Sequence, residues 1–99
     1  MEIVKERQGD SLTLRLSGRL DTGTSPELQE VVTKELDGVK HLAVDMAELE
    51  YITSAGLRVL LNAAKKIDAA EGSMVVKNAN EDIREVFKIT GFDDILVLE

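Results

Sequence analysis

A single serine stands where a short apolar run gives way to an amphipathic helix. The segment Tyr51-Ile-Thr-Ser-Ala-Gly-Leu57 ends the run. The residues that follow have the spacing of one buried helical stripe: Leu57, Leu60, Leu61, Ala64 and Ile67. Ser54 is therefore predicted to begin this helix, with its hydroxyl accepting from free backbone N–H groups of the first turn. Since the positive end of the helix dipole lies there, a phosphate on this hydroxyl would be tolerated. A serine that only caps the helix is the alternative interpretation.

The other residues with catalytic or metal-binding chemistry lack suitable partners. His41 is the only histidine and cysteine is absent, so a metal site would have to depend on carboxylates. Ser54, His41 and an aspartate are the residue types of a hydrolase triad, but the Gly-x-Ser-x-Gly elbow is missing. The acidic pairs at 81–82 and 93–94 lack the spacing of a calcium loop, and no glycine-rich phosphate loop occurs. We expect no catalytic residues, no metal and no cofactor.

Size and charge narrow the class of protein. A chain of 99 residues with a 43% hydrophobic fraction suits one domain with one core, expected to span 1–99. The net charge of -7 argues against nucleic acid and anionic lipid as partners, because both would repel the chain. No transmembrane segment or signal peptide is recognisable. The expectation is a cytoplasmic protein, and nothing demands more than a monomer.

The pattern of strands and helices predicts an α/β domain. Strands are predicted at 2–7, 11–17, 41–46, 73–77 and 95–98. Helices are predicted from Thr24 or Ser25, from Ser54 to about Ala70, and from Asn80 to Gly91. The resulting order is β-β-α-β-α-β-α-β, with an initial antiparallel hairpin and parallel crossovers. We expect a mixed sheet with the helices mainly on one face and the other face partly wet.

Several short motifs, taken in order, resemble those of STAS domains, and most specifically the bacterial anti-sigma factor antagonists. The resemblance covers nearly the whole chain. The segments that carry it are Gly18-Arg-Leu-Asp21, Ser25-Pro26, Asp45-Met-Ala-Glu-Leu-Glu-Tyr-Ile52, Thr53-Ser-Ala-Gly-Leu57, Gly72-Ser-Met-Val-Val76 and Phe87-Lys-Ile-Thr-Gly-Phe92. The resemblance implies a non-catalytic regulator that acts by partner switching. Such a protein binds a serine-kinase anti-sigma factor, is phosphorylated by that kinase, and is reset by a serine phosphatase.

The resemblance also implies site residues. The serine matching the phosphorylated position is Ser54, with Thr53 as the alternative acceptor. Thr53 occupies the place of the family's aspartate, a departure that puts phosphorylation in doubt more than docking. The alternative function is therefore a STAS-fold scaffold or sensor module that binds another regulatory protein without being phosphorylated. The expected contact surface consists of Asp21, Thr22, Gly23, Thr24, Ser25, Thr53, Ser54, Ala55, Leu57 and Arg58.

Overall fold

The computed structural model describes all residues from 1 to 99 and contains five strands and three α-helices. Their order is the predicted β-β-α-β-α-β-α-β. The strands are β1 Glu2–Gln8, β2 Ser11–Leu20, β3 His41–Ile52, β4 Ser73–Lys77 and β5 Val97–Leu98. The helices are α1 Ser25–Glu35, α2 Ser54–Ala69 and α3 Glu81–Thr90.

The five strands form one mixed sheet in the order β1-β2-β3-β4-β5. β1 runs antiparallel to β2, as the predicted hairpin requires, and the other three pairs are parallel. The mixed sheet and the single α/β domain are therefore confirmed. Because the parallel strands share one direction, their carboxyl ends lie along one edge of the sheet.

One face of the sheet carries the core. Leu12, Leu14 and Leu16 alternate along β2 and belong to a cluster of 23 buried residues that also includes side chains from all three helices. On the opposite face, Thr13 is half-buried and Arg15 is exposed. The alternation of leucine with polar residues in the sequence thus separates a buried face from a wet one, as predicted.

The two central strands are longer than the sequence pattern predicts. β2 continues past residue 17 to Leu20, and β3 continues past residue 46 to Ile52. Their parallel pairing shifts register after Arg15 and again after Gly18, whose φ of +91° places it in the region that favours glycine. These irregularities break the strict alternation, which explains why the pattern alone ended both strands too early.

The last strand is shorter than predicted. Residues Phe92–Asp94 form a turn of 3-10 helix after α3, and only Val97 and Leu98 pair with β4. Ile95, predicted to open the strand, lies outside it and is exposed.

The first turns of α3 and α1 differ, because only α3 is capped by a side chain. Asn80 caps α3, since its side-chain oxygen accepts from the amide of Ile83 at 2.9 Å, and Gly91 ends that helix with φ +78°. Both features are as predicted. In α1, Thr24 occupies the cap position but makes no side-chain cap bond. Neither predicted cap, the Thr24 capping box or Ser25 before Pro26, is formed.

Candidate functional site

Ser54 lies at the open carboxyl-end edge of the sheet, as the first residue of α2. The cap position itself belongs to Thr53, whose backbone is extended with φ -109° and ψ 176°. The prediction that the helix begins at Ser54 is confirmed, whereas the prediction that the Ser54 hydroxyl caps it is wrong. The hydroxyl of Ser54 makes no hydrogen bond within the chain, and the residue is exposed. A free, accessible hydroxyl at the positive end of a helix is available for modification or contact.

The glycine two residues later lets α2 approach the sheet closely. A Cβ atom built on Gly56 would lie 2.6 Å from Cγ of Leu20 and 2.9 Å from Cγ1 of Ile52. Both neighbours are fully buried, so they have little room to yield. Gly56 is required here by close approach, because any larger side chain would push the first turn of α2, and Ser54 with it, away from the strand ends.

Thr53 has an unusual environment. Its amide donates to the carbonyl of Leu20 at 3.0 Å, and its carbonyl accepts from the amide of Leu57 at 3.0 Å. Its Oγ1 atom is buried and has no hydrogen-bond partner. A buried hydroxyl without a partner costs stability, about 1–3 kcal/mol for such groups in general.

The loop after β2 is held by a carboxylate. The Oδ1 atom of Asp21 accepts from the backbone amides of Gly23 and Thr24, both at 3.0 Å. The Thr24 hydroxyl lies 2.7 Å from the carbonyl of Arg19 and accepts from the amide of Asp21 at 2.9 Å. The amide of Thr24 is the main cause that lowers the pKa of Asp21, followed by the Thr24 hydroxyl and, more weakly, by Gly23 and Arg19. The Thr24 hydroxyl is thus hydrogen-bonded within the loop, which explains why it does not cap α1.

The predicted contact surface consists of two segments of the chain, and the last residue pair of β2 and β3 brings them together. Leu20 is paired with Ile52, so the loop that starts at Asp21 and the turn at Thr53 leave the sheet side by side. The starts of α1 and α2 then enclose a shallow groove with a volume of about 310 Å³. Its lining consists of Ser25, Pro26, Gln29, Ala55, Arg58, Val59 and Asn62.

Two residues of the predicted contact surface face inward. Leu57 is 4% exposed and belongs to the core, and Ser25 is 8% exposed at the start of α1. The expectation that Leu57 offers an apolar surface is corrected by this burial. Its position matches the buried stripe that the helical spacing itself predicts. Thr22, Gly23, Ser54 and Arg58 are exposed; the remaining predicted contact residues, Asp21, Thr24, Thr53 and Ala55, are half-buried.

An exposed arginine–tyrosine pair, which the sequence pattern did not indicate, lies beside this surface. Tyr51 is 38% exposed, and the guanidinium carbon of Arg19 lies 5.6 Å from the centre of its ring. The two residues are register partners on β3 and β2. A cation over an aromatic face is favourable, by about 0.5–1 kcal/mol when exposed. The sequence holds one signal that could have revealed this pair: aromatic residues are scarce, and the only tyrosine stands three residues before Ser54.

The family follows from a match along the full length of the fold. The sequence model of the STAS domain family matches residues 2–99. The chain belongs to the STAS family. Its sequence is 31% identical over 93 residues to BtrV of Bordetella bronchiseptica, a protein named provisionally as an anti-sigma factor antagonist, with 93% of this chain and 80% of that protein covered. It is 29% identical over 99 residues to the anti-sigma-B factor antagonist of Listeria monocytogenes, with 97% and 85% covered.

The fold of this STAS domain is shared with solved structures. SpoIIAA, an anti-sigma factor antagonist, in its unphosphorylated form superposes with a TM-score of 0.79 at 17% identity, covering 99% of this chain and 87% of that one. The phosphorylated form of Bacillus SpoIIAA gives a TM-score of 0.78 at 18% identity, with 99% and 91% covered. At these identities the likeness concerns the fold alone. None of the helices is both long enough and apolar enough to span a bilayer.

Proposed function

We propose that this STAS domain is an anti-sigma factor antagonist that works by partner switching, with Ser54 as the switch. It binds a serine-kinase anti-sigma factor through the surface formed by the start of α2 and the loop after β2. It acts in the cytoplasm as a monomer without catalytic activity of its own, and a serine phosphatase resets it. The observation that carries the proposal is the free, exposed hydroxyl of Ser54 on the edge where these two segments meet.

The position of Ser54 suits a switch that leaves the fold intact. A phosphoserine carries about -1.5 to -2 charges at neutral pH. At the first residue of α2 that charge faces the positive end of the helix dipole, so it is stabilised within the domain. On the surface it adds bulk and a charge that a docked partner must desolvate or be repelled by. The likeness of the fold to SpoIIAA in both phosphorylation states is consistent with such a local effect.

Thr53 favours the second candidate, a scaffold or sensor module that is never phosphorylated. An aspartate at this position would place a carboxylate beside the acceptor hydroxyl. Thr53 instead places a buried hydroxyl without a partner there. If the kinase needs that carboxylate to orient the serine, transfer to Ser54 is slow or absent while docking persists.

Intact-mass measurement separates the two functions. The protein is incubated with Mg-ATP and a serine-kinase anti-sigma factor from the same genome, alongside Ser54→Ala and Thr53→Asp. We expect a gain of one phosphate in the wild type, faster gain in Thr53→Asp, and none in Ser54→Ala. A gain that persists in Ser54→Ala and disappears when Thr53→Val is added to it would assign the switch to Thr53. An unchanged mass in both the wild type and Thr53→Asp, with binding retained, would establish the scaffold.

Titration calorimetry with the same kinase tests the contact surface. Ser54→Asp is expected to weaken binding, whereas Ser54→Ala retains it. Since an acid at the first turn is compatible with the helix, the melting temperature of Ser54→Asp should stay within a few degrees of the wild type. Equal affinity of both variants would exclude Ser54 from the contact surface.

A further inference from the structure

One arginine of the chain is left without a partner. The other four are engaged: Arg7 with backbone carbonyls of the α1 end, Arg15 with Glu6, Arg19 with Tyr51, and Arg84 with the carbonyls of Ala79 and Glu99. Arg58 makes no ion pair, no hydrogen bond and no ring contact, and it is exposed on α2. An arginine is suited to bind carboxylates with two parallel hydrogen bonds.

The free guanidinium of Arg58 lines the groove between α1 and α2. Arg58 is the only charged residue among the seven that line it. The neighbouring walls are polar, since the Asn62 amide donates to the side-chain oxygen of Gln29 at 2.9 Å and ties the two helices together across the groove. The groove is therefore a locally cationic spot on a chain whose net charge is -7. Charge complementarity makes an acidic side chain the group that fits there.

The same guanidinium lies within reach of the proposed switch. Ser54 and Arg58 are four residues apart on α2, and both are exposed. Residues at this spacing are neighbours on one helical face, and an acid placed four residues before a base is the favourable orientation. A phosphate on Ser54 is thus positioned to pair with Arg58.

We infer that Arg58 receives a carboxylate side chain of the protein that docks on the Ser54 surface, and that an acidic group on Ser54 weakens docking by occupying this guanidinium. The inference rests on the proposed function and adds the chemistry of recognition. It makes phosphorylation act by withdrawing a cation from the contact surface as well as by adding a negative charge to it.

Charge reversal tests the first half. The serine-kinase anti-sigma factor from the same genome is titrated against wild type, Arg58→Gln, Arg58→Glu and Lys65→Glu, with circular dichroism to confirm folding. Lys65 is the matched control, because it is also exposed on α2 and also makes no ion pair, two turns further on. We expect affinity to fall at least tenfold in Arg58→Glu and to change less than twofold in Lys65→Glu. Affinity should also depend less on salt in Arg58→Gln than in wild type. Equal losses in the two charge-reversal variants would overturn the inference.

A double-mutant cycle tests the second half. Ser54→Asp is compared in the wild-type and Arg58→Gln backgrounds. If an acid at residue 54 acts by capturing Arg58, its effect on affinity should shrink at least threefold once Arg58 is gone. Fully additive effects would contradict the capture. If the wild type binds the kinase and the Arg58 variants bind it equally well, this inference alone is overturned. If the wild type does not bind the kinase, the proposed function is refuted as well.

Discussion

Replacing Gly56 by alanine should destabilise the domain even though alanine is the better helix former. In a helix interior alanine is favoured over glycine by about 1 kcal/mol. Against this, the added methyl group would lie 2.6 Å from Cγ of Leu20, 2.9 Å from Cγ1 of Ile52 and 3.0 Å from Cδ2 of Leu20. Overpacking of this kind costs about 1–3 kcal/mol, and the full burial of both neighbours favours the upper part of that range. The expected net loss is about 1–2 kcal/mol.

Urea unfolding followed by circular dichroism measures this loss directly. For a domain of this size, such a loss should lower the melting temperature by about 5–15 °C. The matched experiment repeats the substitution in Leu20→Ala, which removes two of the three clashing atoms. There Gly56→Ala should be much less harmful, and neutral to about 1 kcal/mol stabilising if the methyl group clears Ile52 as well, because only the helix preference remains. A Gly56→Ala variant as stable as the wild type in the original background would refute the explanation of Gly56 as a close-approach residue.

Three further predictions concern the elements around the site. Thr53→Val should leave stability unchanged or raise it, because the Thr53 hydroxyl neither caps α2 nor finds a partner; a loss above about 1 kcal/mol in urea unfolding would show that the hydroxyl is bonded in solution. Asn80→Ala should cost about 1–2 kcal/mol by the same assay, since Asn80 caps α3 and also donates to the carbonyls of Leu49 and Glu50. Asn78→Gly is the control, because it removes an exposed contact to Asp45 while glycine accepts the φ of +61° at this position. Folding lowers the pKa of Asp21, so its ionised carboxylate contributes to the free energy of unfolding above its pKa in the unfolded chain, about 4, and this contribution is lost as the pH falls further. The difference in stability between the wild type and Asp21→Asn should therefore shrink from pH 6 to pH 3. A difference that grows towards low pH would contradict the lowered pKa.

The elements that depend on local chemistry could be predicted from the sequence. Asn80 and Gly91 bound α3 as expected, because a capping amide and a left-handed glycine act within a few residues. The leucines of β2 face the core as their alternation predicts. The order of elements and the mixed sheet follow from these local signals and from the rules for parallel connections.

Features that depend on distant parts of the chain could not be predicted in this way. The extension of β3 to Ile52 depends on its pairing with a bulged β2, which the spacing within β3 does not reveal. On α2 the buried face includes Val59 and Ala63 rather than Leu61 and Ala64, which are half-buried, since α1 packs beside it. The partnerless Arg58 is also a property of the assembled surface.

The sequential strand order has a consequence for synthesis. Each strand lies beside the one made just before it, so no strand has to be inserted between two that are already paired. As the chain leaves the ribosome, the sheet can be extended at one border, beginning with the hairpin of β1 and β2. Only β1 and β2 are close in sequence; the three parallel pairs are separated by helical crossovers, so each of them forms only after a longer stretch of chain has closed on the sheet. The surface around Ser54 is built from β2, β3, α1 and α2, so it needs no residue of the last two strands to be complete.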